Sequence, residues 1–301
     1  MLEKINTKYK QLKELLKNSN SKQTFKNWLV SELAYSSNAI EGNTLTKKET
    51  ELVINERITS SSKPFVYYQE AVNHAKAFNK CYEYIENNDK ITEKHILELH
   101  RIILTGIDDI NAGFYRNCMV RISGSRVILP NPMKVPKLME DFILWLQNQD
   151  INDIHTAINA HLKFVSIHPF VDGNGRCARL LMNLLLLKAG YSPIIIRPRD
   201  RKRYLDAIEN AQLTQNEEKY NKFMLKMLDK SMQTAIDILD TSKNIEPDDK
   251  LLTISEFAKL TGLTVATIRY RVKQNQIKPY LYSESGYMLF KKEQKNKIKR
   301  K

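Results

Sequence analysis

The residues best equipped for chemistry lie in one stretch, "HPFVDGNGRCAR", positions 168–179. His168 carries an imidazole that can take a proton near neutral pH. Asp172, four residues on, is a carboxylate of the kind that holds Mg²⁺ beside phosphates. Gly173, Asn174 and Gly175 let the backbone pass through positive φ and approach a ligand closely. The apolar run that follows, "LLMNLLLLKAG", predicts a helix. Its first N–H groups and positive dipole end then face the glycine loop and favour an anion. Arg176 and Arg179 stand three apart in the first turn and share a face. Two cations there oppose the helix dipole unless an anion joins them. Base, carboxylate, anion cradle and paired guanidiniums point to a polyphosphate with a divalent ion, and to phosphoryl or nucleotidyl transfer onto a hydroxyl. The loop is neither G-x-x-x-x-G-K-[ST] nor G-x-G-x-x-G. His155, His161 and His168 do not make the H-E-x-x-H spacing of a hydrolytic metal site.

Helices must position these groups. Apolar periodicity predicts them over 2–17, 24–40, 66–87, 92–104, 135–148, 151–166, 176–189, 199–212 and 217–240. Thr92 is a good cap for the helix it precedes. "MVRISGSRVILPNP" alternates apolar and polar residues around Ser-Gly-Ser and predicts a β-hairpin closed by prolines, either packed on the helices or used as a flap. Cys81, Cys118 and Cys177 are odd in number and far apart, which fits a reducing compartment and no disulfide framework. No signal-peptide core and no apolar run of roughly 20 residues is present, so a cytoplasmic, non-membrane chain is expected.

The motif resembles the Fic signature, HPFx[D/E]GNGRxxR, at every defined position. "AHLKFVSIHPF", "LLMNLLLLKAGYSPIII", "AGFYRNCMVRISG" and "PKLMEDFILWL" are similar to the segments around it in that family, over about residues 1–235. The resemblance implies a mainly α fold, a Fic-type helical bundle with a β-hairpin flap. It implies transfer of AMP from ATP, with Mg²⁺, to a Ser, Thr or Tyr hydroxyl of a target protein. His168 would be the base, Asp172 the Mg²⁺ ligand, and Gly173, Asn174 and Gly175 the anion hole. Arg176 and Arg179 would hold the β- and γ-phosphates. Tyr204, Leu205 and Gln212 would fall at the adenine pocket, with Gln212 where the family is expected to have Asn. The hairpin near Ile122 would pin the target segment by strand addition.

A second site begins at "SSNAIEGN", 36–43. Gly42 suits the position just past a helix end, which puts Glu41 in a last turn where the dipole disfavours an anion. That misfit mirrors the arginines at the other helix start, and each would relieve the other. The stretch also resembles the family's inhibitory motif [S/T]xxxE[G/N], met by Ser37, Glu41 and Gly42. The resemblance implies that Glu41 pairs with Arg179 and blocks the γ-phosphate, and in some relatives the same glutamate supports removal of AMP.

The chain has 48 basic and 34 acidic residues, net +14, a balance that suits polyanionic partners. From residue 241 onward there are 14 basic and 6 acidic residues, so a surplus of eight lies in the last fifth of the chain. The expected organisation is an N-terminal helical region over 1–94 with the inhibitory helix at about 24–42, and a catalytic core over 95–240. A linker over 241–250 and a small winged-helix domain over 251–301 follow. The last of these resembles MerR and excisionase winged helices, with "YLYSESGYMLF" as the wing. It would place Thr264, Thr267, Arg269 and Arg271 outward, towards DNA or a protein. A DNA-binding regulator that uses the first domain only to sense nucleotide is the competing reading, and a homodimer is compatible with either.

Overall fold

A computed structural model of the protein describes residues 1–59, 63–240, 252–274, 276–282, 288–291 and 294–295. The chain divides between Leu239 and Asp240 into two units, each with its own hydrophobic cluster. The first unit holds ten helices among the described residues: α1 (Leu2–Leu15), α2 (Ser19–Ile40), α3 (Lys47–Glu56), α4 (Phe65–Glu86), α5 (Glu93–Leu104), α6 (Val135–Gln147), α7 (Ile154–Ile167), α8 (Asn174–Lys188), α9 (Arg201–Thr214) and α10 (Glu218–Leu239). From Leu180 onward α8 is leucine-rich, and Leu180, Leu181, Met182, Leu184, Leu185 and Leu186 are all buried. A helix apolar on every side belongs at the centre, and α8 packs there against α7, α4, α5 and α2.

Two helices differ from the sequence expectation in ways that matter. The apolar spacing of 47–56 is weak, and no helix is expected there. α3 nevertheless forms, because Thr46 and Glu49 make a reciprocal capping box: Glu49 N–H donates to Thr46 Oγ1 at 3.2 Å and Thr46 N–H donates to Glu49 Oε2 at 2.8 Å. α8 begins at Asn174, two residues before the expected start, with Gly173 as its cap at φ 76°. Asn174 and Gly175 therefore lie in the first helical turn, with their N–H groups at the open end.

The expected hairpin over 119–132 is a turn without paired strands. Ser125 N–H donates to Ile122 O at 3.1 Å across Gly124, whose φ is 75°. The next groups bond elsewhere: Arg126 N–H goes to Glu209 on α9 and Val127 N–H to the Ser125 hydroxyl. No ladder is left to form.

The second unit contains α11 (Ile254–Thr261), α12 (Val265–Lys273) and three short antiparallel strands, β1 (Leu252–Thr253), β2 (Leu281–Tyr282) and β3 (Met288–Phe290), in the order β1-β3-β2. Leu252 faces Phe290 and Leu281 faces Leu289 in the register. Phe257 and Phe290 stack at 4.4 Å over Ala258, Ile268 and Ile277. The expected linker, 241–250, the wing tip, 283–287, and the terminal 296–301 lie outside the described residues. No helix among the described residues is long and apolar enough to cross a membrane.

Candidate active site

The turn between α7 and α8 carries the motif. His168 closes α7 in the left-handed conformation, φ 52° and ψ 61°, with its N–H on Phe164 O at 2.9 Å. A non-glycine residue is uncommon there, and the turn directs the chain out of α7. Phe170 anchors the loop: its ring is fully buried and stacks on His100 at 3.6 Å. Asn174 folds back on it, accepting from Phe170 N–H and donating to Phe170 O, both at 2.9 Å. His100 accepts from Gly113 N–H through Nδ1 at 2.9 Å, so its Nε2 carries the proton and donates to Asp172 O at 3.0 Å. A Cβ on Gly173 would come within 3.3 Å of that imidazole. The loop is thus fixed from beneath by a histidine that spacing alone does not single out.

The charged groups converge on one mouth. Arg176 donates to Asp172 Oδ2 at 2.9 Å and to Glu70 Oε1 on α4 at 3.0 Å. Arg179 donates to Ser37 Oγ, to Ser37 O and to Glu41 Oε1, at 2.9, 3.0 and 2.6 Å. Both guanidiniums are buried, whereas the Asp172 side chain is 64% exposed. Glu41 lies against the first turn of α8: a Cβ on Gly175 would collide with its carboxylate. Burial acts against the charge on Arg179, but Glu41 and the Tyr204 hydroxyl outweigh it and hold the guanidinium above its usual pKa. His168 is pushed down to about 4, chiefly by burial, against the pull of the Val165 carbonyl, with Arg116 adding to the fall. It is a neutral imidazole at physiological pH.

Helix α2 ends as its sequence requires. Glu41 is the C-cap, Gly42 follows at φ 101°, and Gly42 N–H and Asn43 N–H close onto Ala39 O and Asn38 O. That is a Schellman closure. Arg201 caps the same end, donating to Ile40 O at 2.6 Å. Asn43 reaches Glu70 Oε2 at 2.8 Å, which links the end of α2 to Arg176.

Beside this mouth is a cavity of about 380 Å³ lined by Glu41, His168, Gly175, Arg179, Leu205, Gln212 and the turn 122–125. Ile122, Leu205 and Gln212 stand on its walls. Tyr204 also borders it but is buried, with its hydroxyl 2.7 Å from His161 Nε2. Gln212 donates to Ser166 Oγ at 3.2 Å. In the second unit Thr264 caps α12, its hydroxyl accepting from Thr267 N–H at 3.1 Å and meeting the Thr267 hydroxyl at 2.8 Å. Arg269 is exposed and Arg271 half-buried.

Sequence reasoning overlooks Glu70, His100, Arg116, Arg201 and Glu209. Each acts across a long sequence separation from another element, which no local spacing reveals. No group of three or more His, Cys, Asp or Glu among the described residues is placed to hold a metal by itself. A single exposed carboxylate beside a helix start suits a Mg²⁺ ion whose other ligands are phosphate oxygens and water.

Residues 90–186 match the Fic/DOC family model, and residues 253–290 match that of the MerR family regulatory proteins. The chain is 33% identical over 255 residues to Protein adenylyltransferase Fic of Drosophila grimshawi, covering 84% of this chain and 50% of that one. It is 40% identical over 173 residues to the protein of the same name from Drosophila mojavensis, over 56% of this chain and 34% of the other. The chain thus spans half or less of these curated relatives. Among solved structures, a Fic domain containing signaling protein from Bacteroides thetaiotaomicron superposes with a TM-score of 0.73 at 25% identity, over 81% of this chain and all of that one. Fic-1 from C. elegans gives 0.71 at 27%, over 80% and 73%.

Proposed function

We propose that this chain, which carries a Fic/DOC family domain, transfers AMP from ATP to a hydroxyl side chain of a protein and is held back by Glu41. The observation that carries the reading is the carboxylate of Glu41 seated on Arg179 against Gly175, an anion at the helix start where a phosphate would go. In the active form Arg179 and Arg176 bind the β- and γ-phosphates, and the N–H groups of Asn174 and Gly175 face the phosphate chain. Leu205 and Gln212 flank the base. The neutral His168 takes the proton from the target hydroxyl. Its oxygen attacks the α-phosphorus, the bond to the bridging oxygen breaks, and pyrophosphate leaves. Asp172 would hold Mg²⁺, which supplies charge neutralisation on the phosphates when bound.

Two features support the Glu41 block. Arg179 is buried and Glu41 is the acidic side chain paired with it, so a phosphate that binds Arg179 has to displace that carboxylate. The C-cap and the Arg201 contact also fix where Glu41 sits. The same glutamate could support removal of AMP, and assay of AMP-modified target with wild-type protein reads that directly. For the second unit, the MerR family match and the exposed Arg269 support contact with DNA, with Arg271 and Thr267 on the same helix, α12, and Thr264 at its cap.

The test of the chemistry is His168→Ala in the Glu41→Gly background. We expect loss of AMP transfer with ATP affinity nearly retained, since the base goes and the phosphate cradle stays. Undiminished labelling by that double variant would remove His168 from the mechanism.

A further inference from the structure

The turn 117–131 has no strand ladder of its own, yet it is tied at both ends and at its tip. Arg116 ties the ends. Its guanidinium is buried and donates to Cys118 O at 3.1 Å, Pro130 O at 2.7 Å and His168 O at 2.8 Å. Its backbone N–H adds a bond to Pro169 O at 2.9 Å. One side chain therefore joins the incoming leg, the outgoing leg and the carbonyl of the motif histidine. Glu209 on α9 ties the tip. Its Oε1 accepts from the Ser125 hydroxyl at 3.0 Å and from Arg126 N–H at 2.9 Å. These bonds hold the Glu209 carboxyl below its usual pKa.

The tip forms a wall of the nucleotide cavity. Ile122, Ser123, Gly124 and Ser125 face Leu205 and Gln212 across it. α9 supplies both the opposite wall and the latch, and Glu209 itself lines the cavity beside the tip it holds. A segment without a strand ladder would otherwise open locally at little cost.

We propose that Arg116 and Glu209 are positioning residues that fix 117–131 as a preset wall of the nucleotide cavity, in place of a lid that forms on binding. The assignment of the occupant as ATP rests on the adenylyl-transfer reading. The fixed wall itself does not.

The test uses the full chain in the Glu41→Gly background, with Glu209→Ala and Glu209→Gln as partners. Glu209 is half-buried at the cavity rim and outside the hydrophobic core, and Gln preserves its size and shape. Gln keeps an acceptor oxygen for Arg126 N–H and Ala does not. We expect Glu209→Ala to weaken ATP binding about tenfold, the scale of a lost hydrogen bond to a charged group. Amide exchange should accelerate at 122–127 and stay unchanged in α8, and Gln should restore both. Exchange is measured without nucleotide, so it decides the latch even if the chain transfers no AMP. Equal exchange at 122–127 in parent and Glu209→Ala, or equal ATP affinity, overturns the proposal.

Discussion

Arg179 is held by more than Glu41. Tyr220 donates its single proton to Ile158 O at 3.0 Å, so its 2.8 Å contact with His161 requires a proton on Nδ1. His161 Nε2 must then accept from Tyr204, whose oxygen is left facing Arg179. The series Tyr220, His161, Tyr204, Arg179 is buried, and it explains why Tyr204 borders the cavity yet is committed beneath it. Tyr204, Leu205 and Gln212 all line the cavity, with Tyr204 the most buried of the three. The proposed base is legible in the sequence because His168, Asp172, Arg176 and Arg179 are local. The relay beneath them is not, because its members lie far apart in the chain. At this scale the testable quantity is the acid limb of the rate. His168 sits near 4 in the nucleotide-free protein, and it must be neutral to act as base, so activity is lost only as pH falls through that value. Removing Glu41 removes a carboxylate that raises the pKa, so the limb cannot move up for that reason. With ATP concentrations corrected for its own protonation, kcat/KM of Glu41→Gly should hold down to about pH 5. A limb near the ordinary imidazole value of about 6.5 would contradict the burial argument.

Helices place these residues, and their ends carry most of the information. Gly42 announces the end of α2, and Thr92 the start of α5, where its N–H meets His95 Nδ1 at 3.2 Å. The helix starts at 47 and 174 were less visible. The first depends on a capping box beside a weak apolar face, and the second on a glycine cap that lets the helix swallow part of the motif loop. The flap departs from the expected hairpin because alternation alone cannot say whether a segment pairs with itself or bonds to a neighbouring helix. Gly42 gives the prediction at this scale. Its φ of 101° disfavours any side chain, although no atom lies within 4 Å of an added Cβ. Gly42→Ala should cost about 1–2 kcal/mol and loosen the end of α2. The expected result is a lower Tm together with AMP transfer above wild type, since Glu41 loses its fixed address. A lower Tm with unchanged transfer would separate the cap from inhibition.

Across the whole molecule, two units with separate cores share one chain, and the charge is uneven between them. The basic surplus after residue 241 is readable directly from the sequence. Within the second unit, the Thr264 and Thr267 hydroxyls also serve the cap of α12, which residue type alone does not reveal. DNA contact by the second unit predicts steep salt dependence, with a log–log slope of about −0.9 per phosphate contacted. Arg269→Ala in the full chain should flatten that slope and relax sequence preference, while a change at a terminal lysine should affect only the slope. Gel shifts against a diverse duplex library at several salt concentrations measure both. No shift at low salt would assign α12 to a protein partner.

The most direct measurement follows the α-phosphate of ATP into protein. Wild type, Glu41→Gly and Glu41→Gly/His168→Ala are each incubated with α-labelled or γ-labelled ATP, Mg²⁺ and cell lysate. Modified proteins are then identified by mass spectrometry, and pyrophosphate is measured alongside. The account predicts α-label in protein from Glu41→Gly, pyrophosphate released with it, little from wild type and none from the double variant. Label from the γ-position alone, or equal α-labelling by wild type and Glu41→Gly, would contradict it.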